Sequence, residues 1–309
     1  MANEDHNMER WIEEIEKEDT QLVPDCEGNT IRLHDFGNGE YYPAYPNIKA
    51  RLEKMKTFEA REDDIWINSF TRSGNHWHQE IVTMVLQSSS KATSAMLKMN
   101  NFFEIRDHEL FDAKPSPRTI NAHLIHSRIP PDVWTKKSKI IYIMRNPKDV
   151  AVSNYNWYID TGFMYGYTGT FNGFVSLFLE GKVGRGSWFT HVRDWWKKEK
   201  ENPNVLFLTY EQSKRDLERT VKRISEFLGR DLAGDVIQSI VDQCSFNVMK
   251  EHKGSVAKQK MREGAHGFYR KGEVGDWKNW FTITQNEKFD AVYQEQMKDV
   301  DDIPIQFTI

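Results

Sequence analysis

The sequence contains little cysteine, no long apolar run and no excess of positive charge. Its two cysteines, Cys26 and Cys244, are too few for a disulfide scaffold or a cysteine-built zinc site. No run of eighteen apolar residues occurs, so no transmembrane helix is expected. Lysine and arginine number 42 against 46 acidic residues, so the chain as a whole is not built to bind nucleic acid. The polar first residues lack the apolar stretch of a secretory signal, and a cytoplasmic location is expected.

The 309 residues suffice for one large domain with a substantial core. Ten tryptophans and eighteen phenylalanines indicate that large aromatic side chains carry much of its apolar burial. Residues 1–20 are strongly acidic and predict a solvated arm or a short exposed helix. Two glycines and two prolines predict irregular chain over 33–50. The expected division is an N-terminal arm and irregular segment at 1–45, followed by one domain at 46–309.

Beyond this segment, short apolar runs alternate with stretches of helical spacing. The runs at 139–145 and 204–210 are continuously apolar, which is typical of strands buried on both faces of a parallel sheet. Asn146 and Pro147 predict a helix start as N-cap and first helical residue. The pattern predicts one α/β domain with a central, mainly parallel sheet flanked by helices. The predicted strands are 64–70, 118–124, 139–145 and 204–210, and the predicted helices include 76–87, 187–201 and 213–228.

The first candidate site is the loop Thr71-Arg-Ser-Gly-Asn-His-Trp77, between a strand and a helix. Gly74 and the small hydroxyl residues would let main-chain amides wrap a phosphate, as in a P-loop. The loop lacks the Gly-Lys pair and the glycine spacing of a Walker A motif, which disfavours a nucleotide-dependent kinase. From spacing alone, a generic strand-to-helix turn explains it equally well.

Two further strand ends carry candidate residues. Arg145 ends a buried strand, with Ser153 two turns into the next helix, and a charge placed there needs either a ligand phosphate or an internal salt bridge. His123 ends another strand, where it could be catalytic or structural. His76 and His78 point to different helix faces, and no metal site is predicted.

The fourth candidate lies in the basic segment 250–278. Phe268, Tyr269, Arg270, Lys271 and Gly272 combine two cations, two aromatic rings and a glycine. Such a loop suits a phosphate with a stacked base, although a solvated basic loop has the same composition.

Together these clusters resemble the cytosolic sulfotransferases over nearly the whole chain. Thr71–Trp77 is similar to that family's 5′-phosphosulfate loop, T-Y-P-K-S-G-T-T-W. Arg145 to Ser153, in R-N-P-K-D-V-A-V-S, is similar to its 3′-phosphate motif, and Asn121-Ala-His-Leu124 to its K-T-H-L-P strand. Phe268–Lys278 resembles the F-x-R-K-G…G-D-W-K signature.

The resemblance implies a sulfotransferase domain with a P-loop-like phosphosulfate-binding loop. It implies that a sulfuryl group passes from 3′-phosphoadenosine 5′-phosphosulfate (PAPS) to a hydroxyl or amine, without a metal, leaving the bisphosphate (PAP). The acceptor would be small and aromatic or apolar. His123 would be the general base, and Arg72 would stabilise charge. The implied cofactor-binding residues are Arg72, Ser73, Gly74, Asn75, His76, Trp77, Arg145, Ser153, Tyr210, Cys244, Phe246, Phe268, Tyr269, Arg270, Lys271 and Gly272.

The resemblance also implies an acceptor pocket and a dimer contact. Regions that line the acceptor pocket in the family correspond here to Phe102, Ile105, Trp157 and Tyr158. A short pattern of Lys278, Thr282 and Glu287 is similar to the family's dimerisation motif, which implies a homodimer.

Two positions depart from the family pattern. Arg72 replaces the loop lysine, and Asn121 replaces the lysine two residues before His123. Arginine keeps a permanent cation, but its planar fork is not a point charge. An alternative therefore stays open: a nucleotide-binding and acceptor-binding member of the same fold with impaired turnover.

Overall fold

Four parallel strands form the central sheet. The computed structural model describes residues 13–91, 102–251, 269–300 and 302–308. The strands are β4 at Ile65–Ser69, β5 at Thr119–Ala122, β6 at Lys139–Met144 and β7 at Val205–Thr209. The sheet has the order β5-β4-β6-β7, and each neighbouring pair of its strands is parallel. The parallel α/β prediction is confirmed.

Alternate residues of the strands supply two apolar layers. Ile140, Tyr142 and Met144 of β6 pack into one hydrophobic cluster, whereas Ile141 and Ile143 pack into the other. Successive side chains of a strand point to opposite faces, so a strand covered on both faces must be apolar throughout. This explains the continuous apolar run in its sequence.

Helices cover both faces of the sheet. Asn146 caps the helix after β6, because its side chain accepts a hydrogen bond from the Lys148 main chain. No helix within the described residues has the length and apolarity needed to cross a bilayer. The helices are Ile48–Lys54, Asn75–Gln87, Glu109–Asp112, Pro131–Thr135, Pro147–Asp160, Gly162–Tyr165, Phe171–Leu179, Trp188–Glu199, Tyr210–Arg215, Leu217–Leu228, Gly234–Gln243 and Ile283–Met297. The 3-10 turns are Met55–Thr57, Phe103–Ile105, His126–Arg128 and Asp276–Asn279.

The prediction of irregular chain over 33–50 is wrong. A second, antiparallel sheet precedes the central one, with β1 at Gln21–Pro24, β2 at Thr30–Asp35 and β3 at Tyr41–Pro43. Glycines marked irregular chain, but Gly37 and Gly39 have positive φ and form the turn between β2 and β3. Leu33 and Tyr42 of this sheet are buried in the main core cluster.

The predicted helix 213–228 is two helices. Asp216 has extended backbone angles (φ −144°, ψ 85°), which end the helix Tyr210–Arg215. Its carboxylate then accepts a hydrogen bond from the Arg219 main chain and caps Leu217–Leu228. The apolar spacing continues through Asp216, so the pattern alone does not reveal the break. The break forms because an aspartate side chain hydrogen-bonds nearby main-chain donors and favours a helix cap over a helix interior. The predicted stop at Gly229 is confirmed by its left-handed conformation.

Candidate active site

The four central strands bring candidate residues to one edge of the sheet. Arg72 lies just after β4, His123 after β5, Arg145 after β6, and Tyr210 after β7. Because parallel strands end at the same edge, residues far apart in sequence meet there.

The loop after β4 is built for close approach of main chain to a ligand. Arg72 and Gly74 both have positive φ, of +65° and +99°, and Gly74 precedes the helix Asn75–Gln87. A Cβ on Gly74 would lie 2.8 Å from the Tyr210 ring, so a larger residue does not fit. The Asn75 amide donates to the carbonyls of β4 and β5 and fixes the loop against the sheet. The Ser73 hydroxyl is buried and has no hydrogen-bond partner in the described part of the chain.

Arg145 is buried without a carboxylate partner among the described residues. Its guanidinium donates to the main-chain carbonyls of Arg72 and Glu273, at 3.0 and 3.3 Å, and lies 4.2 Å from the Tyr210 ring centre. Its Nε is buried and has no hydrogen-bond partner within the parts of the chain that the structure describes. The internal salt bridge that could have explained this arginine is therefore not found in the described residues.

Arg72 points along the edge of the sheet towards the helix after β6. Its Nε donates to the Ser153 hydroxyl at 3.1 Å, and its guanidinium lies 4.8 Å from the Trp157 ring centre. Burial, followed by the charges of Arg145 and Arg270, lowers the pKa of Arg72 to about 10. Arg72, Arg145 and Arg270, termed the arginine cluster, thus repel one another in a region that favours an added anion.

The C-terminal basic loop contributes Arg270 to this cluster. Arg270 and Lys271 each contact one oxygen of Asp276 at 2.6 Å. Burial acts to raise the pKa of Asp276, but hydrogen bonds from Lys271, Asn279 and Arg270 outweigh it and lower the pKa to about 2. Gly272 has φ +70° and touches the Phe246 ring, which leaves no room for a Cβ. Phe268 lies outside the described residues.

The rings predicted to enclose a base form two neighbouring groups. Trp77 donates from its indole to the Cys244 carbonyl at 2.7 Å and meets the Tyr210 ring edge-on at 5.4 Å. Phe246 meets Tyr269 edge-on at 6.4 Å. His76 faces elsewhere, with its ring 5.2 Å from that of Phe102, on the His123 side of the site.

His123 is held with one ring nitrogen available. Its Nδ1 lies 2.9 Å from the Ser69 carbonyl oxygen, which can only accept, and 3.3 Å from the Ser69 hydroxyl; we assign the proton to Nδ1 because of the shorter contact with the carbonyl. Nε2 is therefore the unprotonated nitrogen. Phe102 stacks on the imidazole at 5.0 Å. Burial, then the charge of Arg185, lowers the pKa of His123 well below its usual value, so the ring is neutral at pH 7.

The residues predicted for the acceptor pocket are only partly together. Phe102 contacts His123, whereas Trp157 lies beneath Arg72. Tyr158 is buried and stacks on Tyr165 at 3.7 Å, and Ile105 is half-buried in the 3-10 turn Phe103–Ile105.

Sequence reasoning missed two charged residues beside His123, Glu104 and Arg185. Glu104 accepts hydrogen bonds from the His123 main chain and from Arg185. Glu104 lies in the sequence between Phe102 and Ile105, which were both predicted to line the acceptor pocket, and this position is the signal that could have identified it. Nothing local marks Arg185.

The predicted dimer pattern lies on the surface. Lys278 is in the 3-10 turn Asp276–Asn279, and Thr282 caps the helix Ile283–Met297, to which Glu287 belongs. Ile283 is 79% exposed, an unusual environment for a large apolar side chain. No cluster of three or more histidine, cysteine or acidic side chains suited to a metal occurs in the described residues.

Comparison with known proteins places the chain in one family. The sulfotransferase domain model matches residues 62–301. Human Sulfotransferase 1C2 is 36% identical over 284 residues, covering 88% of this chain and 94% of its own length. Rat Sulfotransferase 1A1 is 38% identical over 260 residues, covering 80% and 89%.

Solved structures of sulfotransferases have the same fold as this chain. The crystal structure of mouse sulfotransferase SULT7A1 complexed with PAP superposes with a TM-score of 0.74 at 35% identity, covering 87% of this chain and 95% of the other. Retinol dehydratase with retinol and PAP, at 22% identity and a TM-score of 0.75, shows the shared fold. The sequence motifs, the geometry at the strand ends and these relatives agree, and the chain belongs to the sulfotransferase family of enzymes.

Proposed function

We propose that the protein uses PAPS to sulfate a hydroxyl or amine of a small acceptor, with His123 as general base. The observation that carries the proposal is the arginine cluster beside a neutral histidine at one edge of the sheet. The mouse relative with PAP bound supports the choice of nucleotide. We also propose a cytoplasmic site of action, which is supported by Cys26 and Cys244 remaining reduced rather than forming a disulfide.

The residues present fit a nucleotide with several anionic groups. The Arg145 Nε and the Ser73 hydroxyl, which have no partner among the described residues, offer buried donors that an anion would satisfy. Gly74 and Gly272 keep main chain close to the site where a side chain would block it. We assign the 3′-phosphate to Arg145, Ser153, Arg270, Lys271 and the Gly272 amide, and the 5′-phosphosulfate to Arg72 and the amides of residues 73–77.

The aromatic rings described above are assigned to the base of the nucleotide. Trp77 and Phe246 would enclose the adenine, beside Tyr210, Cys244 and Tyr269. Rings of this kind bind a base by stacking whatever its substituents, so specificity for the bisphosphate must come from the arginines.

PAPS supplies the sulfuryl group when bound. His123 Nε2 would take the proton from the acceptor, since Nδ1 is already committed to the Ser69 carbonyl. A neutral ring is the competent form of a base, and its environment keeps it neutral at pH 7. The fixed cation of Arg72 would stabilise negative charge that grows on the leaving group.

The acceptor is proposed to be a small aromatic or apolar molecule bound beside Phe102, Ile105, Trp157 and Tyr158. Phe102 supports this assignment because its ring lies against His123. Flat aromatic surfaces favour flat acceptors such as phenols.

A thermal-shift titration with PAP, AMP and ATP tests the nucleotide assignment. At free ligand near 100 Kd, a specific ligand adds about 2.7 kcal/mol of stability. PAP should stabilise the protein at far lower concentration than AMP. Equal stabilisation by AMP would refute the assignment.

The alternative is a binding protein with impaired turnover, and the arginine at position 72 and Asn121 favour it. Asn121 supplies no cation where the family pattern has a lysine. Both of its side-chain polar atoms are buried without partners in the described residues. Transfer assays with a panel of phenols and amines distinguish the two, because only the enzyme releases PAP in proportion to sulfated product.

We also propose a homodimer through Lys278, Thr282 and Glu287. The exposed Ile283 beside Thr282 supports it, since an apolar side chain gains by burial against a partner. Ile283→Glu should convert a dimer into a monomer in sedimentation experiments. A wild-type protein that is monomeric at micromolar concentration would refute the proposal.

The division of the chain into residues 1–45 and a sulfotransferase domain at 46–309 stays a prediction.

A further inference from the structure

Glu104 and Arg185 form a buried ion pair against the main chain of His123. Their side chains are 0% and 2% exposed. The Oε1 atom of Glu104 accepts from Arg185 Nη2 at 2.9 Å and from the His123 main-chain N–H at 3.0 Å. One oxygen therefore joins the guanidinium to the end of β5, where His123 lies.

Another buried pair shows what an ion pair serving only the fold looks like in this protein. Arg118 and Asp64 lie at the starts of β5 and β4, at the far end of the sheet from His123, with side chains 1% and 0% exposed. There both carboxylate oxygens bind the arginine, at 2.7 and 2.6 Å. Asp64 Oδ2 also accepts from the Arg61 main-chain N–H at 2.8 Å, so each pair holds a segment of main chain. The main chain held by Glu104 is that of His123, and Glu104 Oε2 has no partner in the described residues. The geometry of the Glu104–Arg185 pair serves His123 as well as the arginine.

The position of Arg185 is fixed by the N-terminal sheet. Its φ is +86°, which is unfavourable for a residue with a side chain. Its main-chain N–H donates to the Tyr41 carbonyl of β3 at 2.7 Å. Its guanidinium lies 4.7 and 5.4 Å from the ring centres of Tyr42 and Tyr45. A backbone conformation of this kind persists only where the surroundings enforce it, so the guanidinium is held in place.

The charge of Arg185 acts on the imidazole. Burial lowers the pKa of His123 most, and Arg185 is the next cause, ahead of His76 and His191. The hydrogen bond from Nδ1 to the Ser69 carbonyl acts in the opposite direction. The charged or titratable groups that face His123 are thus Arg185, Glu104, His76 and His191.

We propose that Glu104 and Arg185 are positioning residues for His123, which fix its main chain at the end of β5 and set the charge that its imidazole faces. This inference rests on the proposed role of His123 as the base. Glu104 orients the His123 main chain through Oε1, which accepts from both the His123 N–H and Arg185. Arg185 holds Glu104 and supplies the charge, which Glu104 partly balances.

Substitutions of the two residues should act with opposite sign. In Arg185→Gln the cation is lost, so the His123 titration should move to higher pH. In Glu104→Gln the amide oxygen can still accept from the His123 N–H, but Arg185 loses its counter-charge, so the titration should move to lower pH. Glu104→Ala removes the acceptor and should lower kcat about 10²-fold, as small misplacements of a catalytic group do, with the KM for PAPS little changed.

The experiment follows the His123 ring by NMR, assigned with His123→Gln, alongside the acid limb of the kcat/KM profile. The double variant E104Q/R185Q removes both charges and keeps hydrogen-bonding groups of similar shape. D64N/R118Q is the matched control, because it does the same to the buried pair far from His123. Arg185→Lys keeps the charge and should keep the His123 titration close to that of the wild type.

The expected result is a titration that moves to higher pH in E104Q/R185Q and stays in place in D64N/R118Q. Equal movement in both would overturn the proposal, since the effect would then come from general loosening of the fold. Equal kcat in Glu104→Ala and Glu104→Gln would overturn the positioning role of the shared oxygen. A His123 titration that moves while the kcat/KM profile does not would support the action of Glu104 and Arg185 on His123, and it would overturn the role of His123 as base.

Discussion

Removal of the Arg72 charge should stabilise the free protein while it weakens function. Burial and the charges of Arg145 and Arg270 lower the pKa of Arg72 from its usual value to about 10, which corresponds to about 3 kcal/mol against the charged form. At pH 7 the guanidinium is charged in both the folded and the unfolded state, so this free energy is subtracted from stability.

The opposing contacts are smaller. The hydrogen bond to Ser153 contributes about 1 kcal/mol and the contact with Trp157 about 0.5–1 kcal/mol. Arg72→Met should therefore raise the free energy of unfolding by about 1 kcal/mol. Methionine is the appropriate replacement because it fills similar space and carries the same penalty as arginine at positive φ.

The assay combines urea unfolding of the free protein, PAP titration and steady-state kinetics. Arg72→Met should bind PAP more weakly and lose about 10²–10³-fold in kcat, as on removal of an oxyanion donor. Arg72→Lys should keep activity or raise it, since it restores the family residue. An Arg72→Met protein that is less stable yet turns over normally would refute the reasoning, because Arg72 would then be a structural cation.

Three further outcomes are expected. Arg145→Ala and Arg270→Ala should each weaken PAP binding by about 2–5 kcal/mol and AMP binding far less, measured by titration calorimetry; equal losses would make both residues structural. His123→Ala should lower kcat by about 10²–10⁴-fold with PAP affinity nearly intact, and full activity would return His123 to a structural role. Gly272→Ala should weaken PAP binding, because its Cβ would displace the Phe246 ring; unchanged affinity in a folded variant would argue against this loop as part of the site.

The sequence by itself determined the parts of this protein that depend on local pattern. Continuous apolar runs identified the buried strands β6 and β7, because a strand covered on both faces has no polar side. Asn146 and Gly229 marked helix ends, since caps act within one turn of chain. The order of four separated motifs sufficed to predict the family, which the comparisons confirm.

Local pattern failed where a glycine or an aspartate has more than one use. The glycines near the N-terminus predicted irregular chain but form the turn of an antiparallel sheet. Asp216 lies within a helical apolar pattern, and its capping bond divides that pattern into two helices. The apolar side chains of the N-terminal sheet pack into one core cluster and those of Leu217–Leu228 into the other, and no local pattern encodes either contact.

Only the tertiary structure decided which charges face one another. Arg270 forms an ion pair with Asp276, whereas Arg145 forms no ion pair with a carboxylate in the described residues, although both were candidates for the same phosphate. Glu104 and Arg185 are 81 positions apart and meet because Glu104 binds the main chain at the end of β5, while the main chain of Arg185 is hydrogen-bonded to Tyr41 of β3. The physical reason is that charge acts through space over a few ångströms, and the packing of the two sheets, which no local pattern encodes, sets those distances.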